Sequence, residues 1–505
     1  MEYLLNSREM KACDSGTIGY FGVPSLVLME RAALAASEEI MRRIPTPAKC
    51  LAVCGSGNNG GDGLAIARLL FLKGYKVQIV FAGNREKTSE ETAVQLDIAE
   101  KYQIPVTDKM PGEDETDIIV DSIFGIGLSR AVEGRWGEIL DRMNRMKGYK
   151  VAVDIASGIS ADTGQILGRA FRADLTVTFG FAKIGHILYP GAEYTGELAV
   201  RDIGIDEHGF LGNMPRVRGI TKEDLEKIPA RPENGNKGTF GKILIIGGSR
   251  NMAGAGVFSA TAAYRSGGGL VRILTHESNR LIMQTLIPEA VLTTYEEKPG
   301  EEDGKILDCL SWADVIVLGP GIGTGEFAQH LTKLALFNAS APCILDADAL
   351  NIIGKHMDWL TEMKAEKIVT PHMGEMARLT GRSIRELKED PVKEASAFAE
   401  KYHAITVLKD ARTVTALPGG DVFINRSGNS GMATGGSGDV LTGVLAGLAG
   451  QGCELSLAAP LGVYLHGLAG DEAARKRGKR GMTASDIAQA VGIILKEGFA
   501  ENETI

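Results

Sequence analysis

The chain has 505 residues, enough for about two to four domains with large buried cores. A net charge of −9 argues against a basic nucleic-acid face, and six scattered cysteines with no C-x-x-C pair indicate neither a zinc site nor a disulfide framework. No apolar run reaches the roughly 18 residues of a membrane span and the start, M-E-Y-L-L-N-S-R-E-M-K, has no signal-peptide core, so a soluble protein of a reducing, cytoplasmic compartment is expected, without nucleic acid or membrane as partner.

Met10 to Arg43 reads as two helices divided by G-T-I-G-Y-F-G-V-P. Cys50 to Cys54 is a short strand that runs into the loop G-S-G-N-N-G-G-D-G and then a helix beginning L-A-I-A-R. Further strands are expected at Tyr75 to Phe81, Asp117 to Ile123, Val151 to Ile155 and Ala173 to Phe179, with a helix over Thr88 to Tyr102. Asp206 to Arg218 reads as a boundary and Glu233 to Gly241 as the entry to a second series. That series has strands from Lys242, at Val271 to Leu274, Val315 to Leu318, Cys343 to Asp346, Ile368 to Thr370 and Ile405 to Leu408. Strands alternating with helices give a parallel sheet, with ligands at the C-terminal strand ends. The two halves do not align as a repeat, so the chain reads as a fusion of two α/β domains.

In the first half, the glycines of G-S-G-N-N-G-G-D-G let a phosphate approach the backbone, while Asn58, Asn59 and Asp62 add side-chain contacts. Asp121 and Asp154 end neighbouring strands, where mutual repulsion would be relieved by a cation. Oxygen donors from Asn59, Asp121 and the 157–160 loop suit a hard one. Each aspartate taken alone could equally be a turn cap.

In the second half, glycine-rich or polar breaks follow successive strands: Gly247 to Gly256, Leu318 to Gly323, D-A-D-A-L-N from Asp346, T-P-H-M-G-E from Thr370 and L-K-D-A-R-T from Leu408. The segment N-S-G-M-A-T-G-G-S-G-D, Asn429 to Asp439, precedes a small-residued apolar run from Val440 that reads as a buried helix. A glycine-rich loop at a helix N-terminus is an anion site. Asp439 would repel that anion, so it is either a helix cap or a proton-handling group beside the anion.

Residues 50–68, 117–136 and 151–166 resemble the NAD(P)H-hydrate epimerases, through G-N-N-G-G-D-G, D-x-x-F-G-x-G and D-I-x-S-G. The resemblance implies a Rossmann-like three-layer sandwich over 1–212 that interconverts the R and S hydrates of NADH and NADPH. It puts substrate contacts at Asn58, Asn59, Gly60, Gly61 and Asp62, at Gly125, Ile126, Gly127, Leu128, Ser129, Arg130 and Ala131, and at Asp154. It puts potassium on Asn59, Asp121 and Ser157. Asp154 is the expected acid/base, since epimerising a carbon beside a ring nitrogen by losing and regaining its hydroxyl needs proton transfer. Trp136 stands in a substrate-side loop.

Residues 222–505 resemble the ADP/ATP-dependent (S)-NAD(P)H-hydrate dehydratases, a ribokinase-like family, with 213–221 as linker. That likeness implies a nucleotide held by Lys409, Asp410, Ala411, Arg412, Thr413 and Gly438, and a hydrate held by Gly256, Gly323, His372 and Asp439, with Asp439 catalytic. ADP or ATP is the implied co-substrate, ADP being favoured among bacterial members, with Mg2+ alongside and a homo-oligomeric assembly. Two alternatives remain at this point: a ribokinase-like small-molecule kinase fused to a nucleotide-binding domain, and a non-enzymatic nucleotide-binding scaffold.

Overall fold

The computed structural model describes residues 1–113 and 116–499, so the last six residues of the expected second domain lie outside it. The chain divides into two compact units, Tyr3–Val217 and Arg218–Ile505, the second also taking in Met1–Glu2. Both are α/β.

The first unit is built on seven parallel strands. Across the sheet they run Val106–Thr107, Lys76–Phe81, Lys49–Cys54, Ile118–Ser122, Tyr149–Val153, Leu175–Phe179 and Glu197–Arg201. Alternation along Lys49–Cys54 shows why both faces are covered: Cys50, Ala52 and Cys54 join one core with Leu64, Ile66 and Leu70, while Leu51 and Val53 join another with Leu140, Met143 and Phe171. Two local expectations change. G-T-I-G-Y is not a break but a π-helical turn, Gly16–Tyr20, that continues the helix Ser7–Ser15, with Gly16 pressed against the Gly209 carbonyl where a Cβ would meet it at 2.1 Å. The helix Asn58–Leu72 starts six residues before the L-A-I-A run, so N-N-G-G-D-G is helical. Its glycines serve close packing: a Cβ at Gly60 would meet the Gly55 carbonyl at 2.0 Å and one at Gly63 the Ser122 hydroxyl at 1.8 Å.

The second unit orders its strands Val291–Tyr295, Leu270–His276, Lys242–Ile246, Val315–Leu318, Cys343–Leu345, Lys367–Val369 and Ile405–Leu408, all parallel. An antiparallel pair, Val414–Ala416 and Val422–Ile424, follows and had no expectation in the sequence; three-residue strands are too short to show a period. The helix Ser437–Gly450 starts three residues before the apolar run from Val440. It is buried on two sides, with Leu441 and Leu445 toward the sheet core and Val440, Val444 and Leu448 in a helical core with Leu461, Leu465 and Ile487. Small residues let it approach the helix Ala253–Arg265 closely: a Cβ at Gly443 would lie 2.1 Å from the Ser259 carbonyl.

Candidate active sites

The first unit carries a cavity of about 610 Å³ at the C-terminal strand ends. The end of Lys49–Cys54 brings Gly55 to Asn59, the end of Ile118–Ser122 brings Ile123 to Arg130, and the end of Tyr149–Val153 brings Asp154. Of the expected contacts, Asn58, Asn59, Asp62, Gly125, Ile126, Gly127, Leu128, Ser129, Arg130 and Asp154 line it. Gly60 and Gly61 do not: they are buried and their amides donate to the Gly57 carbonyl at 2.7 and 3.3 Å, so they give room rather than contacts. Ala131 is exposed beside the cavity lining, not part of it. Trp136 sits in the first turn of the helix Gly134–Arg145, not in a loop. It lines the cavity and also packs edge-on against Phe124 at 5.1 Å.

Asp154 has φ +65°, a left-handed conformation that a non-glycine residue rarely adopts and that fixes its carboxylate at the strand end. Its Oδ1 accepts from Lys183 Nζ at 2.6 Å and from Thr178 Oγ1 at 2.9 Å. Lys183 also donates to Thr178 Oγ1 and the Phe179 carbonyl. Burial would raise the Asp154 pKa, but Lys183 overrides it and holds the carboxyl below its ordinary value. The Lys183 amide donates to His186 Nδ1 at 3.0 Å, which leaves Nε2 as the protonated nitrogen and the donor to the Asp154 carbonyl at 2.9 Å. Sequence reasoning missed Lys183 and also Asp14, which lines the same cavity from the helix Ser7–Ser15. Burial, then the Asp154 charge, pushes Asp14 up to about 6.

Asp121 is fully buried beneath this floor. It accepts from the Ser157 amide at 2.8 Å, the Ser157 hydroxyl at 2.7 Å and the Ile123 amide at 3.3 Å, and burial still pushes it up to about 6. The expected repulsion between Asp121 and Asp154 is not what the structure shows: Ser157 and Ile123 satisfy one, and Lys183 neutralises the other. A cation is favoured instead by Asn59, whose buried Oδ1 and Nδ2 have no hydrogen-bond partner among the described residues and whose Oδ1 would lie 3.7 Å from a Cβ at Gly125. An orphaned amide oxygen, a buried carboxylate and a serine form a donor set that fits a hard monovalent cation.

In the second unit the motif-bearing strand ends form one row. Main-chain bonds tie them in sequence: Gly319 to Ile246, Asp346 to Leu318, Thr370 to Leu345 and Lys409 to Pro371. Ala347 has φ +51°, which turns the chain sharply between Asp346 and Asp348. Asp346 Oδ1 accepts from Lys409 Nζ and from Thr370 Oγ1, each at 2.7 Å, and Asp348 Oδ2 accepts from the Gly323 amide at 2.9 Å. The helix Ser437–Gly450 points its start at this pair, since a Cβ at Gly438 would lie 3.4 Å from Lys409 Nζ and 3.7 Å from Asp346 Oδ2.

Asp439 is in the first turn of that helix, so the cap reading does not apply: the N-cap is Gly436, at φ +88°. Burial first, then Asp346, pushes Asp439 up to about 7, and burial does the same to Glu375. Burial opposes the charge on Lys409, yet Asp346, Glu375 and Asp439 together hold its pKa above the ordinary value. His372 caps the helix Met373–Thr380, its Nδ1 accepting from the Gly374 and Glu375 amides, and burial lowers its pKa, so it stands neutral with Nε2 protonated. The structure brings Lys409, Gly438, Asp439, Asp346 and Glu375 together and places Gly323 and His372 on the same row. Gly256 lies in the helix Ala253–Arg265 against Met283, where it makes space behind Gly247. Asp410, Ala411, Arg412 and Thr413 form the turn after Lys409, closed by Thr413 Oγ1 on the Asp410 carbonyl at 3.2 Å. Among the described residues no group of three or more His, Cys, Asp or Glu side chains could hold a metal ion. Mg2+ fits here only in company with nucleotide phosphates, which is its usual habit.

A parallel sheet whose polar strand ends face a glycine-rich helix N-terminus and its carboxylate defines a ribokinase-like unit, joined in this chain to a Rossmann-like one. A family model described as NAD(P)H-hydrate dehydratase matches residues 243–492, and one described as YjeF-related protein N-terminus matches 25–185. The bifunctional NAD(P)H-hydrate repair enzyme of Moorella thermoacetica is 38% identical over 100% of this chain and 98% of its own. That of Escherichia coli K12 is 34% identical over 92% of this chain and 88% of its own. Among solved structures, a ribokinase-like superfamily protein from Enterococcus faecalis V583 is 30% identical with a TM-score of 0.51, covering 56% of this chain and 97% of that one. An ADP/ATP-dependent NAD(P)H-hydrate dehydratase from Bacillus subtilis, co-crystallised with ATP/Mg2+, is 29% identical with a TM-score of 0.50, covering 56% and 99%. The chain belongs to the family of bifunctional NAD(P)H-hydrate repair enzymes. Membership sets aside both the small-molecule kinase and the non-enzymatic scaffold.

Proposed function

We propose that the chain restores hydrated NADH and NADPH in two steps, epimerising the R and S hydrates in the first unit and dehydrating the S hydrate in the second at the expense of ADP or ATP. The observation that carries this reading is the full-length match to two-activity repair enzymes, 38% identical over the whole chain.

In the first unit the amides of Asn58 and Asn59, which as the first two of their helix have no acceptor within it, suit the phosphates of a dinucleotide, and the backbone of Gly125 to Arg130 lines the same cavity. Asp154, ionised against Lys183, is a base and a counter-charge for the cationic ring left when the hydroxyl departs. Asn59, Asp121 and Ser157 would hold K+, which supplies a fixed positive charge beneath the phosphate loop.

In the second unit Lys409 to Thr413 and Gly438 hold the nucleotide, and Gly323 and His372 border the hydrate. Gly256 acts by leaving room. Asp439 takes the proton from the ring hydroxyl as that oxygen attacks the terminal phosphate, whose bond to the rest of the nucleotide breaks to release AMP from ADP, or ADP from ATP. A pKa of about 7 suits a base working near neutrality. The C–O bond of the resulting ester then breaks, expelling inorganic phosphate under the push of the ring nitrogen lone pair, and loss of a ring proton regenerates the double bond. Mg2+, when bound, neutralises phosphate charge. All six cysteines are buried free thiols, in keeping with a cytoplasmic setting, and a homo-oligomer is the expected assembly.

The test is a coupled assay with the R hydrate and ADP, then ATP. Regained absorbance of the reduced nicotinamide is expected with the intact chain. Asp439→Ala should keep R/S equilibration and lose dehydration. Equal loss of both activities would refute two separate sites, and a stable phosphorylated product would refute the dehydratase reading.

A further inference from the structure

On the reading of the first unit as an epimerase, we infer that Asp14 is the proton donor of that reaction and Asp154 the base that works with it. Asp14, Asp62, Asp154 and Lys183 line one cavity, and they differ in how they are held. Asp154 is fastened by Lys183 and Thr178. The carboxyl groups of Asp14 and Asp62 make no hydrogen bond to any described residue, so both are free to meet a ligand. Asp14 comes from the helix Ser7–Ser15 and Asp154 from the end of a sheet strand, so the two approach the cavity from different elements.

Exchanging the configuration of the hydroxylated carbon needs both roles. The C–O bond breaks as the ring nitrogen lone pair forms a C=N bond, and the Asp14 proton goes to the departing hydroxyl, which leaves as water. A water then adds to the other face. Its oxygen forms the new C–O bond, the C=N pair returns to nitrogen, and the proton released goes to the Asp154 carboxylate. Proton exchange with solvent returns both carboxyls to their starting states, and nothing is oxidised or reduced. Environments that push two carboxyls apart, one down against Lys183 and one up by burial, are what such a division of labour requires. Burial first, then the Asp154 and Asp14 charges, raises Asp62 well above its ordinary value. Asp154, Lys183 and Asp62 act on Asp14 electrostatically; Lys11, Glu91 and Arg130 also line the cavity, and Asp206, Glu207 and His208 belong to the turn packed against its helix.

The test follows R-to-S equilibration by the full chain without nucleotide, after subtraction of the enzyme-free rate. Asp14→Asn is expected to lower kcat about 100-fold with KM changed less than about threefold, and Asp14→Glu to keep at least about a tenth of the rate. In the wild type the rate should fall about tenfold per pH unit above about 6, and Asp14→Asn should lose that limb. The assignment is overturned if Asp14→Asn keeps a third of the rate or the same limb, or if Asp14→Glu is as inactive as Asp14→Asn. A wild-type chain that does not equilibrate the hydrates at all would instead overturn the epimerase reading.

Discussion

Lys183 Nζ lies 2.6 Å from Asp154 Oδ1, and the lysine side chain is 1% exposed. The pair is therefore a buried one, costly to break from one side. Lys183→Met should destabilise the chain by about 3–5 kcal/mol, because Asp154 is left as an uncompensated buried charge. The double variant Lys183→Met with Asp154→Asn should recover much of that loss. The sign with pH follows from the lowered Asp154 pKa: the pair's contribution is complete above the unfolded carboxyl value of about 3.9 and is lost as pH falls through the lower folded value. Denaturant titrations of the three proteins at pH 7 and pH 3 check this. Equal stability of the wild type and Lys183→Met at pH 7 would contradict it.

Asn59 predicts a response to monovalent cations. Its buried amide has no partner among the described residues, so a cation binding there stabilises the folded chain by mass action, by about 2.7 kcal/mol at a hundred times the dissociation constant. The melting temperature should rise with KCl more than with choline chloride at equal ionic strength, and Asn59→Ala should remove the difference. An unchanged difference in Asn59→Ala would place the cation elsewhere.

Gly443 tests the close approach of two helices behind the nucleotide loop. A Cβ there would lie 2.1 Å from the Ser259 carbonyl, and the Ser259 hydroxyl in turn donates to the Asp439 carbonyl at 2.9 Å. Gly443→Ala should destabilise the chain by about 1–3 kcal/mol through overpacking and lower dehydration more than epimerisation, since the shift reaches Asp439 directly. Thermal melts and the two activities measured on one preparation decide it.

Much of the row of strand ends was legible in the sequence because each motif is local: a short β-rich run, then glycines or carboxylates, then a helix. T-P-H-M-G-E, L-K-D-A-R-T and G-G-S-G-D each carry their own geometry, so their convergence follows from parallel topology alone. What escaped is nonlocal or short. Lys183 sits in F-A-K with no motif, and its pairing with Asp154 spans 29 positions in sequence. Asp14 belongs to an ordinary amphipathic helix, and only the fold shows that it lines the cavity. G-S-G-N-N-G-G-D-G read as a loop because glycine lowers helix propensity, whereas tertiary packing against Gly55, Met29 and Ser122 overrides that preference. The orphaned Asn59 amide, not a repulsion between Asp121 and Asp154, is the feature that favours a cation.

Asp439 gives the sharpest test of the second unit, because two independent measurements must agree on one group. Burial and the nearby Asp346 push its pKa up to about 7, so the folded chain holds a proton that the unfolded chain has released by pH 5. The wild type should therefore lose stability as pH rises from about 4 through about 7, and Asp439→Asn should flatten that slope and melt higher than the wild type at pH 8. The base, in contrast, works only when ionised, so kcat for dehydration should climb about tenfold per pH unit below about 7 and level off above it. Asp439→Asn would be more stable and inactive at the same pH, the pattern expected where a destabilised carboxylate is kept for its chemistry. A variant with the wild-type melting slope would move the base role from Asp439 to Glu375, the other carboxyl raised to about 7 in this cluster, and a dehydration rate that falls with rising pH would rule out a carboxylate base altogether.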